Sequence, residues 1–210
     1  MIRHISLLGA LTGMSACGGG MSAPVAPPIV PVTMSSFASV GPDGLIAGNA
    51  EPESEIIGFS TAGGNGFAYA VQSFGPNVTA RAGLITDGTF GLRPTNGTGT
   101  YTAAFTVVEV VDSTVSNTVT RVDGTMPIRV DFNLDRVEGE GDGLRIDGRL
   151  AATTIGVDGI TRGNSFDGIT EWRGTDGQLR GRVVATSIIG AFHGHTATTA
   201  YAGGFTGQAR

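Results

Sequence analysis

The chain has 210 residues, of which 40% are hydrophobic and 15% charged, with a formal net charge of -5. That length supports one sizeable core with room for a smaller appendage, and not two large domains. The acidic balance gives no electrostatic footprint for nucleic acid, and the single cysteine excludes an internal disulfide framework, a CxxC redox pair and a Cys-rich zinc site.

The N-terminus explains that cysteine. Arg3 supplies a cationic start, and Ile5 to Leu11 form an apolar run far shorter than the roughly 20 residues of a spanning helix. Small residues Ser15 and Ala16 then precede Cys17. This order resembles the lipobox of bacterial lipoprotein signals, with Met14 where Leu is usual. It predicts a signal peptide over residues 1–16 and a lipidated Cys17 as the mature N-terminus, anchored durably because each acyl chain adds about 0.8 kcal/mol per buried CH₂. Gly18 stands where an inner-membrane retention signal would place Asp, so the expected location is the outer membrane, facing either the cell surface or the periplasm. Residues 17–36 read as a tether, since Pro24, Pro27, Pro28 and Pro31 fix backbone angles and remove donors that regular structure needs.

Residues 37–92 read as a small N-terminal β region with an aromatic cluster at Phe67, Tyr69 and Phe74. From there the pattern is plainly that of strands. Tyr101, Ala103, Phe105 and Val107 alternate with Thr102, Ala104 and Thr106; Met126, Ile128, Val130 and Phe132 do so with Arg129 and Asp131; and Leu144, Ile146, Gly148 and Leu150 do so with Arg145, Asp147 and Arg149. A hairpin turn is expected over Asn133 to Arg136, which would make Phe132 and Val137 close partners. Asp-Gly pairs punctuate the chain at Asp43, Asp87, Asp123, Asp142, Asp158, Asp167 and Asp176, and such pairs supply the positive φ angles of tight hairpin turns. The expected fold is therefore all-β, an antiparallel meander whose closure into a barrel removes its exposed edges.

Several motifs from about Arg93 to Gln208 then occur in a recognisable order: Pro94-Thr95-Asn96-Gly97-Thr98-Gly99-Thr100-Tyr101; Val130-Asp131-Phe132 followed by Val137-Glu138-Gly139; Phe166-Asp167-Gly168; and Gly190-Ala191-Phe192-His193-Gly194, then Ala197 and Gly203-Gly204-Phe205. Together they resemble the β-barrel domain of the transferrin-binding protein B family of surface lipoproteins. The resemblance implies an eight-stranded up-and-down barrel over residues 93–210 and a role in binding linked to iron or haem acquisition, with a host or environmental protein or haem as partner. His195 departs from the family's Pro, and Thr198 and Thr199 from its acidic pair. Because full-length transferrin receptors are larger and two-lobed, transferrin itself is not the expected ligand.

His193 and His195 are the only histidines after the signal, and at i, i+2 they share a face of a strand. They read as hairpin-end residues or as one axial haem ligand, since two residues on one face cannot ligate opposite sides of a porphyrin. Trp172 and Arg173 read either as core packing or as an exposed anchor for a partner. Glu138, Glu140 and Asp142 alternate with glycines, which suits either a solvated outer face or a hard cation such as Ca²⁺. No G-x-S-x-G elbow or known His-plus-carboxylate spacing marks an enzyme. Gly148, Gly181, Ala152 and Ala185 are expected to face an interior that in an eight-stranded barrel holds side chains or one small ligand. Two functions stay open: a non-enzymatic binding module, and a structural envelope lipoprotein without a dedicated ligand.

Overall fold

The computed structural model describes residues 55–62, 65–74, 77–86, 91–113, 117–151, 153–156 and 159–210, with side chains described over 65–73, 78–84, 91–113, 117–151 and 163–210. The signal, Cys17 and the tether lie outside the described residues, as does Ala152, and the Phe74 side chain is also outside them.

Three strands come first: β1 (Glu55–Ala62), β2 (Asn65–Phe74) and β3 (Asn77–Thr86), which form an antiparallel sheet in that order. The barrel follows with β4 (Thr98–Val111), β5 (Thr118–Asp131), β6 (Arg136–Gly141) and β7 (Leu144–Leu150). A short hairpin of β8 (Thr153–Gly156) and β9 (Gly159–Arg162) interrupts it before β10 (Ser165–Trp172), β11 (Thr175–Val183), β12 (Ser187–His195) and β13 (Thr199–Ala209). Each barrel strand pairs antiparallel with its neighbour, and β13 closes on β4, giving the eight-stranded up-and-down barrel that the alternation and the motifs implied.

Side-chain alternation explains what fills it. Inward positions carry Tyr101, Phe105, Phe166, Trp172, Phe192, Tyr201 and Phe205, each at most 3% exposed. Rings of that size fit a narrow barrel because glycines face them across the ladder: Gly190 is the register partner of Phe205, and a Cβ at Gly190 would land on the Phe205 ring. Gly148 and Gly181 do face inward, both against Phe166. Ala185 does not; it is exposed in the connection between β11 and β12, two residues past the end of β11. The buried hydroxyls are partnered. Tyr101 donates to the Val184 carbonyl at 2.7 Å, and the Tyr201 and Thr170 hydroxyls meet at 2.8 Å. Burial pushes the Tyr201 phenol up to about 12, so it stays protonated.

The Asp-Gly pairs need a correction. Asp142-Gly143 makes the tight turn between β6 and β7, with φ of 50° and 86°. Asp123-Gly124, Asp167-Gly168 and Asp176-Gly177 instead lie inside strands. Their glycines take barrel-facing positions, Gly124 against Phe105 and Gly177 against Tyr201, while Asp123 and Asp167 face outward and pair with Arg121 and Arg180. Interior crowding, not turn geometry, requires glycine there. The Asp43 and Asp87 pairs and Asp158 fall outside the described residues, while Gly159 opens β9.

The hairpin after β5 is present, with its turn over Phe132–Asp135 and Arg136 already in β6. Its register differs from the expected one: Val137 pairs with Val130, and Phe132 instead donates its N–H to the Gly97 carbonyl at 2.9 Å. The reason is the Asp131 carboxylate, which accepts N–H bonds from Asn133 and Leu134 at 3.0 and 3.1 Å and so starts the turn one residue early. Leu134 is left exposed at the tip. Replacing Asp131 with Ala is expected to cost about 0.5–2 kcal/mol, as for comparable side-chain caps, and a urea midpoint shift with unchanged slope would report it.

A second apolar cluster lies outside the barrel. Phe67, Tyr69, Val71, Val78 and Ala82 of β2 and β3 pack on Val108, Val110, Ala191, Ala200 and Ala202, which face outward from β4, β12 and β13. Gly204 is the hole in that wall: a Cβ there would land on the Phe67 ring.

Candidate functional site

Two places gather the residues singled out by the sequence, and they lie on opposite sides of the barrel wall. The first is a barrel rim. Trp172 ends β10 with its ring inside the barrel, 1% exposed, so it is core and not an exposed anchor surface. Arg173 follows at the tip of a two-residue turn with φ of 49°, and Gly174 completes it at 83°. The Arg173 guanidinium sits 4.8 Å from the centre of the Trp172 ring and reaches Glu109 of β4 at 3.2 Å. Glu109 is 8% exposed, a carboxylate at an inward position near the end of its strand. Its only outward sign in sequence is an acid interrupting the run Val107-Val108-Glu109-Val110-Val111, and the sequence reading missed it. Cation–ring attraction and the ion pair together hold Arg173 in one attitude above the packed core while half its side chain stays in solvent.

The second place is the seam between the N-terminal sheet and the outer wall. His193 projects outward from β12, opposite Gln178 of β11 and Ala202 of β13. It is 7% exposed, and its Nε2 is buried with no hydrogen-bond partner among the described residues. Burial, and secondly the neighbouring His195, lower its pKa to about 4, so the ring is neutral at ordinary pH. His195 lies two residues on, on the same face and partly exposed. Beside His193 a groove of about 350 Å³ opens between β3 and strands β10 to β12, with Ala82, Ile169, Gln178, Arg180 and Ala191 among its walls. Ile169 is 62% exposed there. The structure thus brings His193 and His195 together, and Trp172 with Arg173, but keeps the two pairs apart.

The acidic run on β6 faces outward among arginines. Arg136 contacts Glu138 at 2.8 Å and Asp147 at 3.3 Å, and Glu140 is the register partner of Arg145. Among the described residues no group of three or more His, Cys, Asp or Glu side chains is placed to hold a metal ion.

No protein-family profile matches the chain, and no curated protein matches it. Among solved structures, it is similar to a variant of transferrin binding protein B from Haemophilus parasuis Hp5, at 12% identity and a TM-score of 0.47, over 76% of this chain and 38% of that one. It is also similar to a structure described as a surface lipoprotein, at 14% identity and a TM-score of 0.47, over 73% of this chain and 81% of that one. A third is isotype 1 transferrin binding protein B from serogroup B Neisseria meningitidis, at 9% identity and a TM-score of 0.44, over 86% and 40%. The chain spans less than half the length of the two transferrin binding proteins.

Proposed function

We propose that this chain is a lipid-anchored, outer-membrane binding module without enzymatic activity, which captures a protein partner on its outer surface and rim in the service of iron or haem acquisition. The observation that carries this reading is the filled barrel: seven aromatic rings occupy the interior positions, each at most 3% exposed, so recognition falls to what the barrel displays. Arg173 is the residue best prepared for it. An arginine already held by Trp172 and Glu109 loses little freedom on binding, and such pre-organised arginines make strong anchors. Trp172 acts here by holding Arg173 and not by touching the partner. The iron-acquisition role rests on the motif resemblance, and the anchor on the residues around Cys17.

The test uses the full chain and its Cys17→Ser form. The wild type is expected in the membrane fraction and the variant in a soluble or unprocessed form. Pull-down with wild-type and Arg173→Ala proteins from the natural environment is expected to recover one partner, at least tenfold less with the variant. A Soret shift on adding haem would replace the protein partner with haem. No recovered partner and normal growth under iron limitation would favour a structural envelope lipoprotein.

A further inference from the structure

The outer-wall residues Val108, Val110, Ala191, Ala200 and Ala202 form a continuous apolar face that the N-terminal sheet covers. Among the described residues, His193 is the one ionisable side chain buried on that wall beneath the cover. We infer that the sheet β1 to β3 is an acid-releasable cover, held shut by an uncharged His193 and opened when that ring takes a proton.

Among the described residues no carboxylate forms an ion pair with His193, whose buried Nε2 has no hydrogen-bond partner. On its own strand the next outward residue is His195, which carries the same charge in acid. On β11 the neighbours are Gln178 and, two residues to either side of it on the same face, Arg180 and Asp176; Asp176 is exposed to solvent beside His195, and Asp167 of β10, the one carboxylate lining the groove, is already bonded to Arg180 at 2.8 Å. β13 contributes Ala200 and Ala202. Across the seam β3 presents Ala80, Ala82 and Leu84, with Arg81 on the opposite face of the strand. β2 presents Phe67, Tyr69 and Val71, and the Tyr69 phenol looks towards Arg121 and Asp123 of β5, which pair with each other at 2.9 Å. A buried cation without a partner is strongly disfavoured, whereas the same ring is hydrated once the sheet lifts.

The sign follows from those two environments. Covered, His193 protonates near 4; uncovered, near the ordinary 6.5. The open state therefore binds more protons between these values. The cover is fully held above about pH 6.5, weakens as pH falls towards 4, and changes no further below that. The gap corresponds to a limiting fall of about 300-fold in the ratio of covered to open molecules. Opening would bare the apolar wall beside the groove, so acid would change which surface this protein shows to a partner.

Hydrogen exchange of the full chain in its Cys17→Ser form, corrected for intrinsic rates, tests this. Between pH 7 and pH 4 the amides of β2 and β3 are expected to lose protection by about a hundredfold, while those of β5 to β7 keep theirs. His193→Gln, which hydrogen-bonds without charging, should flatten the dependence, and His195→Gln should preserve most of it. The His193 ring proton, followed by NMR in the unsubstituted protein, gives a readout that needs no variant to fold. Unchanged protection of β2 and β3 at pH 4, equal loss in β5 to β7, or a His193 midpoint near 6.5 with the sheet still protected would each overturn the proposal.

Discussion

Phe205→Ala is expected to lower the stability of the barrel by about 3–5 kcal/mol, the usual cost of emptying a buried phenylalanine site. Phe205 is fully buried and stands over Gly190, its cross-strand partner. The reciprocal change, Gly190→Ala, adds only a methyl group, yet its Cβ would come within 2.5 Å of the ring's Cε1 and within 3.0 Å of Cε2. Overpacking of that kind costs about 1–3 kcal/mol. The three nearest atoms the new methyl meets all belong to the Phe205 side chain. Combining Gly190→Ala with Phe205→Leu should consequently cost less than the two single changes added together, with a favourable coupling of about 0.5–3 kcal/mol. Urea unfolding of the four proteins in the cycle measures it. Strict additivity would mean that the ring and the glycine do not set each other's size, and that glycine is needed at this position for another reason.

This pairing of ring and glycine also separates what could be read in the sequence from what could not. Alternation in stretches such as Leu144 to Leu150 gives strands and their inner faces directly, since residues two apart share a side, and the structure keeps those faces. Whether a glycine serves a turn or an opposing ring depends on its partner across the ladder, which no local pattern reveals. Asp142-Gly143 and Asp176-Gly177 look alike in sequence, yet one turns the chain and the other lies under Tyr201. Trp172 and Arg173 were legible as a pair but not as core and rim, because that division depends on where β10 ends. The burial of His193 was hidden more deeply. Its strand is apolar or small at almost every position, Ile188 to Gly194, and only the docked sheet makes the outward half of that run an interior.

Phe67→Ala is expected to detach that sheet while leaving the barrel closed. Among the described residues Phe67 is the largest fully buried side chain that the N-terminal sheet brings to the seam, and losing its contacts removes about 3–5 kcal/mol from docking. Among the described residues the interior cluster contains none from the N-terminal sheet, so the substitution leaves the barrel's own packing in place. Amide protection of β2 and β3 should fall at pH 7 in the alanine variant, with β5 to β7 unchanged. The decisive measurement is the titration of His193: once the sheet has lifted, the desolvation that holds the ring near 4 is gone, and its midpoint should return towards 6.5. A variant that loses sheet protection but still titrates near 4 would show that the barrel wall alone, and not the sheet, keeps this histidine neutral.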